Sequence, residues 1–501
     1  MNNLSELLKG LEVEVLSRGA EGRELSEITV TGLVYDSRKV IPGCMFVCIP
    51  GVKVNGHDFA LQAADMGASV IVVSGPVAGL TDTGAVVLQV PDTRYALAFL
   101  SAAWFDHPAE HLTTVGITGT KGKTTTTYMI RSVLENAGHK VGLIGTVEVI
   151  IGATHIHAEN TTPESYLLQE YFAKMVEAGI DTVVMEVSSQ ALKMHRSQGF
   201  VFDYGIFTNL EPDHIAPGEH ETFEEYLQCK SLLFRQCRHG IGNGDDAHFA
   251  QVMEGHTCDL ESFGMSETCD LRAKNIRLVT GPGQLGVSFD TEGVWPLSVH
   301  VASPGKFSVY NALAAILLCR HFGVGTAELL KAMANVHVRG RIERVPISPD
   351  YTLLIDYAHN AMALKSILTS LRAYEPGRLV CLFGCGGNRS RDRRFEMGEV
   401  SGQLADLTII TSDNPRFEEP LDIIADIRTG MQRTKGEYVE IPDRKEAIRY
   451  AILHARKGDI IVLAGKGHED YQEIKGVKYP MDERDLIRDI LREEGITPVQ
   501  G

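Results

Sequence analysis

Residues 118–124 read Thr118-Gly119-Thr120-Lys121-Gly122-Lys123-Thr124, after an apolar run that ends at Ile117 and before a long helical pattern. A strand, a glycine-rich loop and a helix in this order are the setting of a phosphate-binding loop. Glycines let backbone N–H groups close around phosphates, a lysine reaches the β and γ oxygens, and the next hydroxyl can bind Mg²⁺. The usual spacing would place a glycine at position 117, so the loop is a compressed form. The segment predicts nucleotide binding, with a plain strand-to-helix turn as the alternative.

Length and composition limit the class of protein. The chain has 501 residues and a formal net charge of −17, which predicts several domains and argues against a general nucleic-acid binder with a basic face. No apolar stretch is long enough to span a bilayer, and the first residues lack the layout of a signal peptide. The nine cysteines lack zinc-type spacing and favour free thiols in a reducing compartment. We therefore expect a cytoplasmic enzyme without membrane insertion.

The apolar pattern divides the chain into three blocks, 1–110, 111–338 and 339–501, which we predict to be domains. The first block mixes short strands and helices. In the second, strands alternate with helices, and buried parallel strands are predicted at 113–117, 141–144, 182–187 and 204–208. The third repeats this alternation, with strands at 353–356, 379–383, 407–411 and 460–463. The pattern predicts an α/β fold whose ligands bind at the carboxyl ends of the strands.

Two strand endings of the second block carry candidate metal ligands. Glu186 closes one strand, and a carboxylate near a phosphate loop can hold the Mg²⁺ that bridges ATP phosphates. An incidental glutamate beside helix-capping serines is the alternative. His214 follows the next strand and could bind a metal through its imidazole, or be a surface histidine on a loop. A helical pattern with Lys230 comes after it.

The strands of the third block also lead into polar loops. Residues 384–394 form a glycine-rich loop with several arginines, including Arg389, which suits carboxylates or phosphates because arginine can donate two parallel hydrogen bonds to them. A solvated charged loop is the alternative. Residues 413–416 are read alone as turn chemistry, and residues 464–470 form another glycine-rich ending. Taken singly, these signals are weak.

In this combination and order, the motifs resemble the Mur ligase family of peptidoglycan assembly over nearly the whole chain. The motifs that carry the resemblance are Asp36-Ser37-Arg38, the loop 119–124, Asn160-Thr161-Thr162-Pro163, Glu186-Val-Ser-Ser189, Thr208-Asn-Leu, Asp213-His214, Tyr226-x-x-x-Lys230, Tyr310-Asn311, Gly340-Arg341, Asp356-Tyr-Ala-His359, Gly384-Cys-Gly-Gly-Asn-Arg389, Asp413-Asn-Pro-Arg416 and Gly465-Lys-Gly-His-Glu469. The tripeptide synthetases of the family are the most similar. The resemblance implies a three-domain α/β ligase with a central P-loop ATPase-like parallel sheet and a Rossmann-like C-terminal domain. The three blocks would bind the UDP end of a substrate, ATP and an amino acid.

The resemblance also implies a reaction. It is that of an ATP-dependent amide ligase that joins meso-2,6-diaminopimelate to UDP-N-acetylmuramoyl-L-alanyl-D-glutamate through an acyl phosphate, as a cytoplasmic monomer. Mg²⁺ and a CO₂-derived carbamate on Lys230 are implied as well; the carbamate replaces a cation that would repel Mg²⁺ with an anion. The implied catalytic residues are Lys123, Glu186, His214 and Lys230. The implied ligands of one Mg²⁺ are Thr124 and Glu186, and those of a second Mg²⁺ are His214 and carbamylated Lys230.

The ligand contacts implied by the resemblance fall into three sets. For ATP they are Gly119, Thr120, Lys121, Gly122, Lys123, Thr124, Thr125, Asn311, Arg341 and Asp356. For the UDP-N-acetylmuramoyl peptide they are Ser37, Thr161, Thr162, Ser188 and Arg196. For diaminopimelate they are Arg389, Asp413, Asn414, Arg416, Gly465 and Glu469. Arg416 is expected to select the amino acid, because it would pair with the second carboxylate of diaminopimelate but face the terminal cation of lysine unpaired.

The chain departs from the family pattern at four places. Lys121 stands where asparagine is common, Gln190 where histidine is frequent, and Arg339 in place of a proline before Gly340. The segment 214–220 is two residues longer than the common form, as in a subgroup that includes lysine-adding enzymes, so L-lysine is the alternative acceptor. The chain could also be a different ligase of the family. A nucleotide-binding regulatory protein would be expected to have lost Glu186, His214 or Lys230, and all three are present; a dehydrogenase would carry the G-x-G-x-x-G fingerprint, which is missing.

Overall fold

The computed structural model describes residues 2–51, 54–213, 215, 219–281 and 284–499. The chain forms two compact units, Met1–Asp270 with Ala314–Val324, and Leu271–Leu313 with Gly325–Gly501. Within the described ranges, no helix has both the length and the hydropathy needed to cross a membrane. All nine cysteines are buried and free, which confirms the prediction of free thiols.

A five-stranded sheet forms the N-terminal part of the first unit. Its strands lie in the order Glu14–Arg18, Val86–Gln89, Val70–Val73, Met45–Val47 and Leu33–Val34. The last four are parallel, and the first is antiparallel to its neighbour. Successive residues of Val70–Val73 enter two different hydrophobic clusters, which is why this strand is apolar at every position. The helices here are Leu4–Leu7, Ala60–Asp65 and Thr93–Trp104, and a small sheet pairs Asn2–Asn3 with Thr29–Val30.

A second sheet in the first unit carries the glycine-rich loop. Within this unit its strands lie in the order Thr154–His157, Glu148–Ile151, Val141–Ile144, Thr182–Glu186, Thr113–Thr118, Phe202–Phe207, Cys237–Asn243 and Asp259–Gly264. The last six are parallel, and the first two are antiparallel additions at the edge. The helices are Lys123–Asn136, Ser165–Glu177, Ser189–Lys193, Phe223–Ser231 and Phe249–Val252. Because the strands are parallel, the loops that follow the middle three meet at one edge of the sheet.

The second unit contains an antiparallel group and a second α/β sheet. The antiparallel strands are Leu271–Gly281, Gln284–Gly293 and Leu297–Val301. The α/β sheet has the order Glu343–Val345, Thr352–Asp356, Ile460–Ala464, Leu379–Phe383, Leu407–Ile410 and Glu437–Glu440, with only the first strand antiparallel. A hairpin pairs Tyr471–Ile474 with Val477–Pro480. The helices are Thr326–Ala334, Ala361–Arg372, Arg391–Leu404, Pro420–Met431, Arg444–Leu453 and Glu483–Glu493, and Lys306–His321 has residues in both units.

The three sheets of mainly parallel strands confirm the predicted α/β class, and one strand differs from its prediction in an informative way. The strand predicted at 204–208 is Phe202–Phe207. Asp203 interrupts the apolar run, so the sequence pattern places the start of the strand two residues too late. Its carboxylate accepts a hydrogen bond from the backbone N–H of Thr114 on the neighbouring strand at 2.8 Å. A charged residue is therefore accommodated in the sheet because the neighbouring backbone supplies a donor.

Candidate functional site

The glycine-rich loop has a backbone that only glycine permits. Gly119 has φ +146° and Gly122, which precedes the helix Lys123–Asn136, has φ +87°. The chain after the next strand holds the loop in place: Asn209 Oδ1 accepts the Lys121 N–H at 2.9 Å, and Thr208 Oγ1 donates to the Lys121 carbonyl at 2.7 Å. The N-terminus of this helix favours an anion such as phosphate, because its backbone N–H groups and the helix dipole present partial positive charge there. Loop and first helical turn contain the predicted contacts Gly119, Thr120, Lys121, Gly122, Lys123, Thr124 and Thr125.

We expect Gly119→Ala to weaken ATP binding about tenfold or more, because a Cβ at this position would lie 1.9 Å from Thr208 Oγ1 and displace the side chain that holds the loop. Gly138→Ala is the matched control. Gly138 also has a positive φ, +94°, but a Cβ there meets nothing within 4 Å, so only a stability cost of about 1 kcal/mol is expected. Calorimetric titration with ATP and thermal unfolding of both variants test this; equal ATP affinity in both would contradict it.

Two lysines converge on one carbonyl of the loop. Lys123 Nζ donates to Gly119 O at 2.7 Å, and Lys230 Nζ donates to the same oxygen at 2.9 Å. Lys230 is 1 % exposed, and its Nζ lies 4.5 Å from the centre of the Tyr226 ring. Burial, and secondarily the charge of Lys123, lower the pKa of Lys230 well below its ordinary value. The charged form of Lys230 is therefore less favourable here, next to the predicted phosphate loop, than it is in water. His214, the other predicted ligand of this region, lies outside the described residues.

Thr124 and Glu186, predicted as ligands of one metal ion, lie side by side. Thr124 Oγ1 donates to Glu186 Oε1 at 2.9 Å, and the carboxylate is almost fully buried. Thr146 also supports it, with its N–H 2.8 Å from Oε1 and its hydroxyl 3.1 Å from Oε2. The donor set consists of oxygen atoms beside a helix N-terminus that is predicted to bind phosphates, which fits Mg²⁺. The residues present therefore suit the implied metal.

Four of the five residues predicted for the UDP-N-acetylmuramoyl peptide form one cluster. Thr162 Oγ1 donates to the Glu186 carbonyl at 2.9 Å and accepts the Ser188 N–H at 3.1 Å. Arg196 donates to the Thr162 carbonyl at 3.2 Å, and the hydroxyl of Thr161 is 3.0 Å from that of Thr146, beside the same glutamate. This cluster therefore adjoins Glu186, one of the two predicted metal ligands.

The fifth residue, Ser37, lies in the N-terminal part of the unit. It begins the short 3₁₀ turn Ser37–Lys39, which Asp36 caps by accepting the Arg38 N–H at 3.0 Å. The Asp-Ser-Arg motif therefore has an evident local role in the turn. Its role as a substrate contact stays a prediction.

The remaining predicted ATP residues belong to the second unit. The Arg341 guanidinium lies 4.6 Å from the centre of the Tyr357 ring. Asp356 accepts backbone N–H groups from Ile342 at 2.9 Å and from Ala358 at 2.8 Å. Burial raises the pKa of Asp356, against the opposing effect of Arg341. Asn311 is buried in the helix Lys306–His321.

The residues predicted to bind diaminopimelate follow three neighbouring strands of the second unit. Asn414 Nδ2 donates to Glu469 Oε2 at 2.9 Å, which joins the loops after Leu407–Ile410 and Ile460–Ala464. Gly465 has φ +107°, and a Cβ there would lie 2.9 Å from Asp413 Oδ2. Arg389 is exposed and lies in the loop after the strand Leu379–Phe383, which is the third of these strands. The structure thus brings this set to one edge of the sheet, as the sequence predicts.

Arg416 connects this edge to the hairpin. Its φ is +53°. Nε donates to Glu473 Oε2 at 3.1 Å, and Nη1 donates to the Gly387 carbonyl at 2.8 Å. The guanidinium therefore already has one acidic partner within the protein. It retains further N–H groups that a ligand carboxylate can use.

Comparison with known proteins decides the family. Three family models match the chain: Mur ligase family, catalytic domain, at residues 29–105; Mur ligase middle domain at 117–319; and Mur ligase, glutamate ligase domain, at 340–467. The UDP-N-acetylmuramoyl-L-alanyl-D-glutamate–2,6-diaminopimelate ligase of Caldanaerobacter subterraneus is 40 % identical, over 98 % of this chain and 99 % of its own length. The ligase of the same name from Clostridium perfringens is 39 % identical, over 97 % and 99 %. The chain belongs to the Mur ligase family.

Solved Mur ligase structures have the same architecture. A UDP-N-acetylmuramoyl-L-alanyl-D-glutamate–2,6-diaminopimelate ligase matches with a TM-score of 0.71 and 26 % identity, over 99 % of this chain and 100 % of that one. MurF from Thermotoga maritima in complex with ADP matches with a TM-score of 0.56 over 92 % and 97 %; at 18 % identity it shows the fold alone. The predicted three-domain Mur ligase fold is confirmed.

Two departures from the Mur ligase pattern are accommodated by local ion pairs. Lys121 Nζ lies 2.6 Å from Glu211 Oε2, so its charge is balanced at the loop. Arg339 Nη2 lies 2.6 Å from Asp482 Oδ2, with the arginine side chain 42 % exposed. The longer segment 214–220 falls mostly on residues that are not described.

We expect Lys121→Asn to change the KM for ATP by less than about threefold, because the lysine charge is already paired with Glu211 in a half-exposed position where ion pairs contribute little. The loop conformation depends on the Lys121 backbone, which the substitution retains. Steady-state kinetics at several ATP concentrations test this, with Glu211→Gln as the complementary change. An increase of tenfold or more for Lys121→Asn would show that the side chain itself binds phosphate.

Sequence reasoning missed several residues that support the Mur ligase site. Thr146, in the loop after the strand Val141–Ile144, donates a hydrogen bond from its backbone N–H to the buried carboxylate of Glu186. Glu164 lies 3.0 Å from Arg94 and 3.5 Å from Arg196, so it holds a predicted substrate residue. Glu473 pairs with Arg416, the arginine predicted to contact the amino acid. Lys466 lies within the motif Gly465-Lys-Gly-His-Glu469, and nothing in the sequence assigned it a role. In the structure it is completely buried, which is unusual for a lysine.

Proposed function

We propose that this Mur ligase joins meso-2,6-diaminopimelate to UDP-N-acetylmuramoyl-L-alanyl-D-glutamate with ATP, in the cytoplasm and as a monomer. The observation that carries the proposal is the position of Arg416, which lies at the same sheet edge as Asn414 and Glu469. This edge offers a cation for the second carboxylate of the acceptor and an anion for its ammonium. Full-length relatives that bear the name of this activity support the same assignment.

The proposed reaction has two steps. A carboxylate oxygen of the D-glutamate residue attacks the γ-phosphorus of ATP, and the bond to the β-phosphate oxygen breaks, giving an acyl phosphate and ADP. The amine of diaminopimelate then attacks the acyl carbon, phosphate leaves, and the amine loses a proton as the amide forms. ATP is needed because an amine does not displace an oxide ion from a free carboxylate.

The first unit supplies the groups for phosphoryl transfer. The loop N–H groups and Lys123 bind the β and γ phosphates and offset the charge on their oxygens. Thr124 and Glu186 would hold one Mg²⁺, and His214 and carbamylated Lys230 a second; bound Mg²⁺ supplies further neutralisation of phosphate oxygens. Thr161, Thr162, Ser188 and Arg196 are proposed to hold the muramoyl peptide, with Ser37 at its uridine end. Asn311, Arg341 and Asp356 are proposed to contact the adenosine.

Lys230 is proposed to carry a carbamate. The amine of Lys230, once it has lost the proton of its ammonium form, adds CO₂ by forming an N–C bond and releases a second proton, so a cation becomes an anion. The position of Nζ at the Gly119 carbonyl supports this role, because the new carboxylate would extend from a point beside the phosphate loop. Methionine at this position cannot form a carbamate.

Arg389, Asp413, Asn414, Arg416, Gly465 and Glu469 are proposed to bind the amino acid. In the proposed organisation, residues 1–110 bind the UDP end, 111–338 bind ATP and 339–501 bind the acceptor. Closure around the three ligands would exclude water from the acyl phosphate, which hydrolyses readily.

Phosphate release tests the proposal. The purified protein is supplied with UDP-N-acetylmuramoyl-L-alanyl-D-glutamate, ATP and Mg²⁺, and meso-diaminopimelate is compared with L-lysine. A strong preference for diaminopimelate is the expected result. Preference for lysine would keep the ligase but contradict the acceptor, and release with neither would contradict the proposed reaction.

A further inference from the structure

Lys466 is a fully buried lysine in the loop that follows the strand Ile460–Ala464. A buried ammonium is costly unless each of its three N–H groups has an acceptor. Here Nζ donates to Asn414 Oδ1 at 3.0 Å, to Glu469 Oε2 at 2.8 Å and to the Tyr471 carbonyl. All three donors are therefore used, and two of the three acceptors are side chains proposed to bind the amino acid.

These bonds set the orientation of the Asn414 amide. Its Oδ1 accepts from Lys466 Nζ and from the Glu473 N–H, the latter at 2.9 Å. Its Nδ2 donates to Glu469 Oε2. If the amide were reversed, its NH₂ group would face an ammonium and a backbone N–H, and its oxygen would face a carboxylate. The position of the lysine therefore permits one orientation only.

Lys466 also determines how Glu469 presents its charge. One carboxylate oxygen is occupied by Lys466 and Asn414, and the Glu469 side chain is 16 % exposed. A carboxylate held in this way keeps its direction, and neither of these two hydrogen bonds uses its second oxygen. Groups that recognise a ligand bind it more tightly when their own orientation is fixed beforehand.

We propose that Lys466 is a positioning residue for the acceptor amino acid, acting through Asn414 and Glu469. This inference rests on the proposed function, since those two residues are the proposed acceptor contacts. Lys466 does not itself meet the amino acid. Its loss should weaken acceptor binding while leaving the binding of the other two substrates as it is.

The test is Lys466→Met, which retains much of the side-chain volume and removes the ammonium. The KM for the acceptor is expected to rise about tenfold, the free-energy equivalent of one lost charge-assisted hydrogen bond. The KM values for ATP and the muramoyl peptide should change by less than about twofold. Lys478→Met is the matched control: Lys478 is exposed on the hairpin, with its Nζ 4.2 Å from the centre of the Tyr471 ring. No change in any KM is expected there.

The outcome separates positioning from a general structural role. An unchanged acceptor KM, or an equal rise in all three KM values, would overturn the inference. If Lys466→Met does not fold, Lys466→Gln is combined with Glu469→Gln, so that no unpaired charge is buried. The double variant is then expected to have an acceptor KM several-fold above that of Glu469→Gln alone, because Asn414 still loses its ammonium partner; equal values overturn the inference.

The failure of the proposed function has a different signature. Wild-type protein that releases phosphate with neither diaminopimelate nor lysine would overturn the proposed function and this inference with it. Wild-type protein that uses one of them, together with an unaffected Lys466→Met variant, would overturn the inference alone. The variants are assayed with whichever acceptor the wild type uses.

Discussion

Lys230→Met is expected to lower kcat about a thousandfold or more while the folded protein stays at least as stable as wild type. The two effects separate because the lysine is fully buried, with its amine between the Gly119 carbonyl and the Tyr226 ring. Methionine fills a similar volume and removes a polar group whose burial is unfavourable. It cannot, however, carry the anion proposed to serve the metal site. Phosphate release at saturating substrates and the thermal unfolding midpoint are the two measurements.

Lys174→Met provides the control for Lys230→Met. Lys174 lies on the helix Ser165–Glu177, is 48 % exposed in its side chain and pairs with Glu170 at 2.6 Å, so neither activity nor stability should change appreciably. Bicarbonate should not restore Lys230→Met, because methionine cannot form a carbamate. In Lys230→Ala, where truncation leaves space in the buried site, formate or acetate should restore part of the activity by supplying a carboxylate. A kcat near that of wild type for Lys230→Met would remove the lysine from the mechanism.

Arg416→Met is expected to raise the KM for diaminopimelate about a hundredfold and to remove the preference for diaminopimelate over L-lysine. The loss corresponds to two charge-assisted hydrogen bonds to the second carboxylate. Because Arg416 now pairs with Glu473, its removal also leaves a carboxylate without its partner at the same edge. That carboxylate can accept the terminal ammonium of lysine, so use of lysine should improve in the variant.

The double variant Arg416→Met with Glu473→Gln tests this account. In this double variant the use of L-lysine should not improve, because the Glu473 carboxylate that would accept the terminal ammonium of lysine has been replaced by an amide. Arg428→Met is the control, since Arg428 pairs with Glu440 at 3.2 Å with its side chain 42 % exposed. Unchanged selectivity in Arg416→Met would mean that another residue distinguishes the two amino acids.

The sequence predicted the parts of the site that lie close together along the chain. The phosphate loop depends on seven consecutive residues between a strand and a helix, and each of its features has a local cause such as the positive φ of Gly119. The polar strand endings could be predicted to converge, because parallel strands end at one edge of a sheet. The roles within each ending came from the family resemblance, since a single Asp-Asn-Pro-Arg segment is also an ordinary turn.

What the sequence could not predict are partners that are distant along the chain. The Glu164 contacts with Arg94 and the Glu473 contacts with Arg416 join residues 70 and 57 positions apart. No periodicity or spacing marks such pairs. Lys466 illustrates the same limit, since a lysine in a glycine-rich loop is ordinarily exposed. Its burial follows from the hairpin that comes after it and from the asparagine of another strand ending.

Glu186 contacts residues of two proposed ligand sites. Its carboxylate meets Thr124 of the phosphate loop, and its backbone carbonyl meets Thr162 of the muramoyl-peptide cluster. The spacing between the two proposed sites is therefore determined by one residue at the end of a buried strand. It does not depend on the conformation of the loops that separate the two sites along the chain. Loops elsewhere in the described part of the chain can then differ in length without altering the spacing between these two proposed sites.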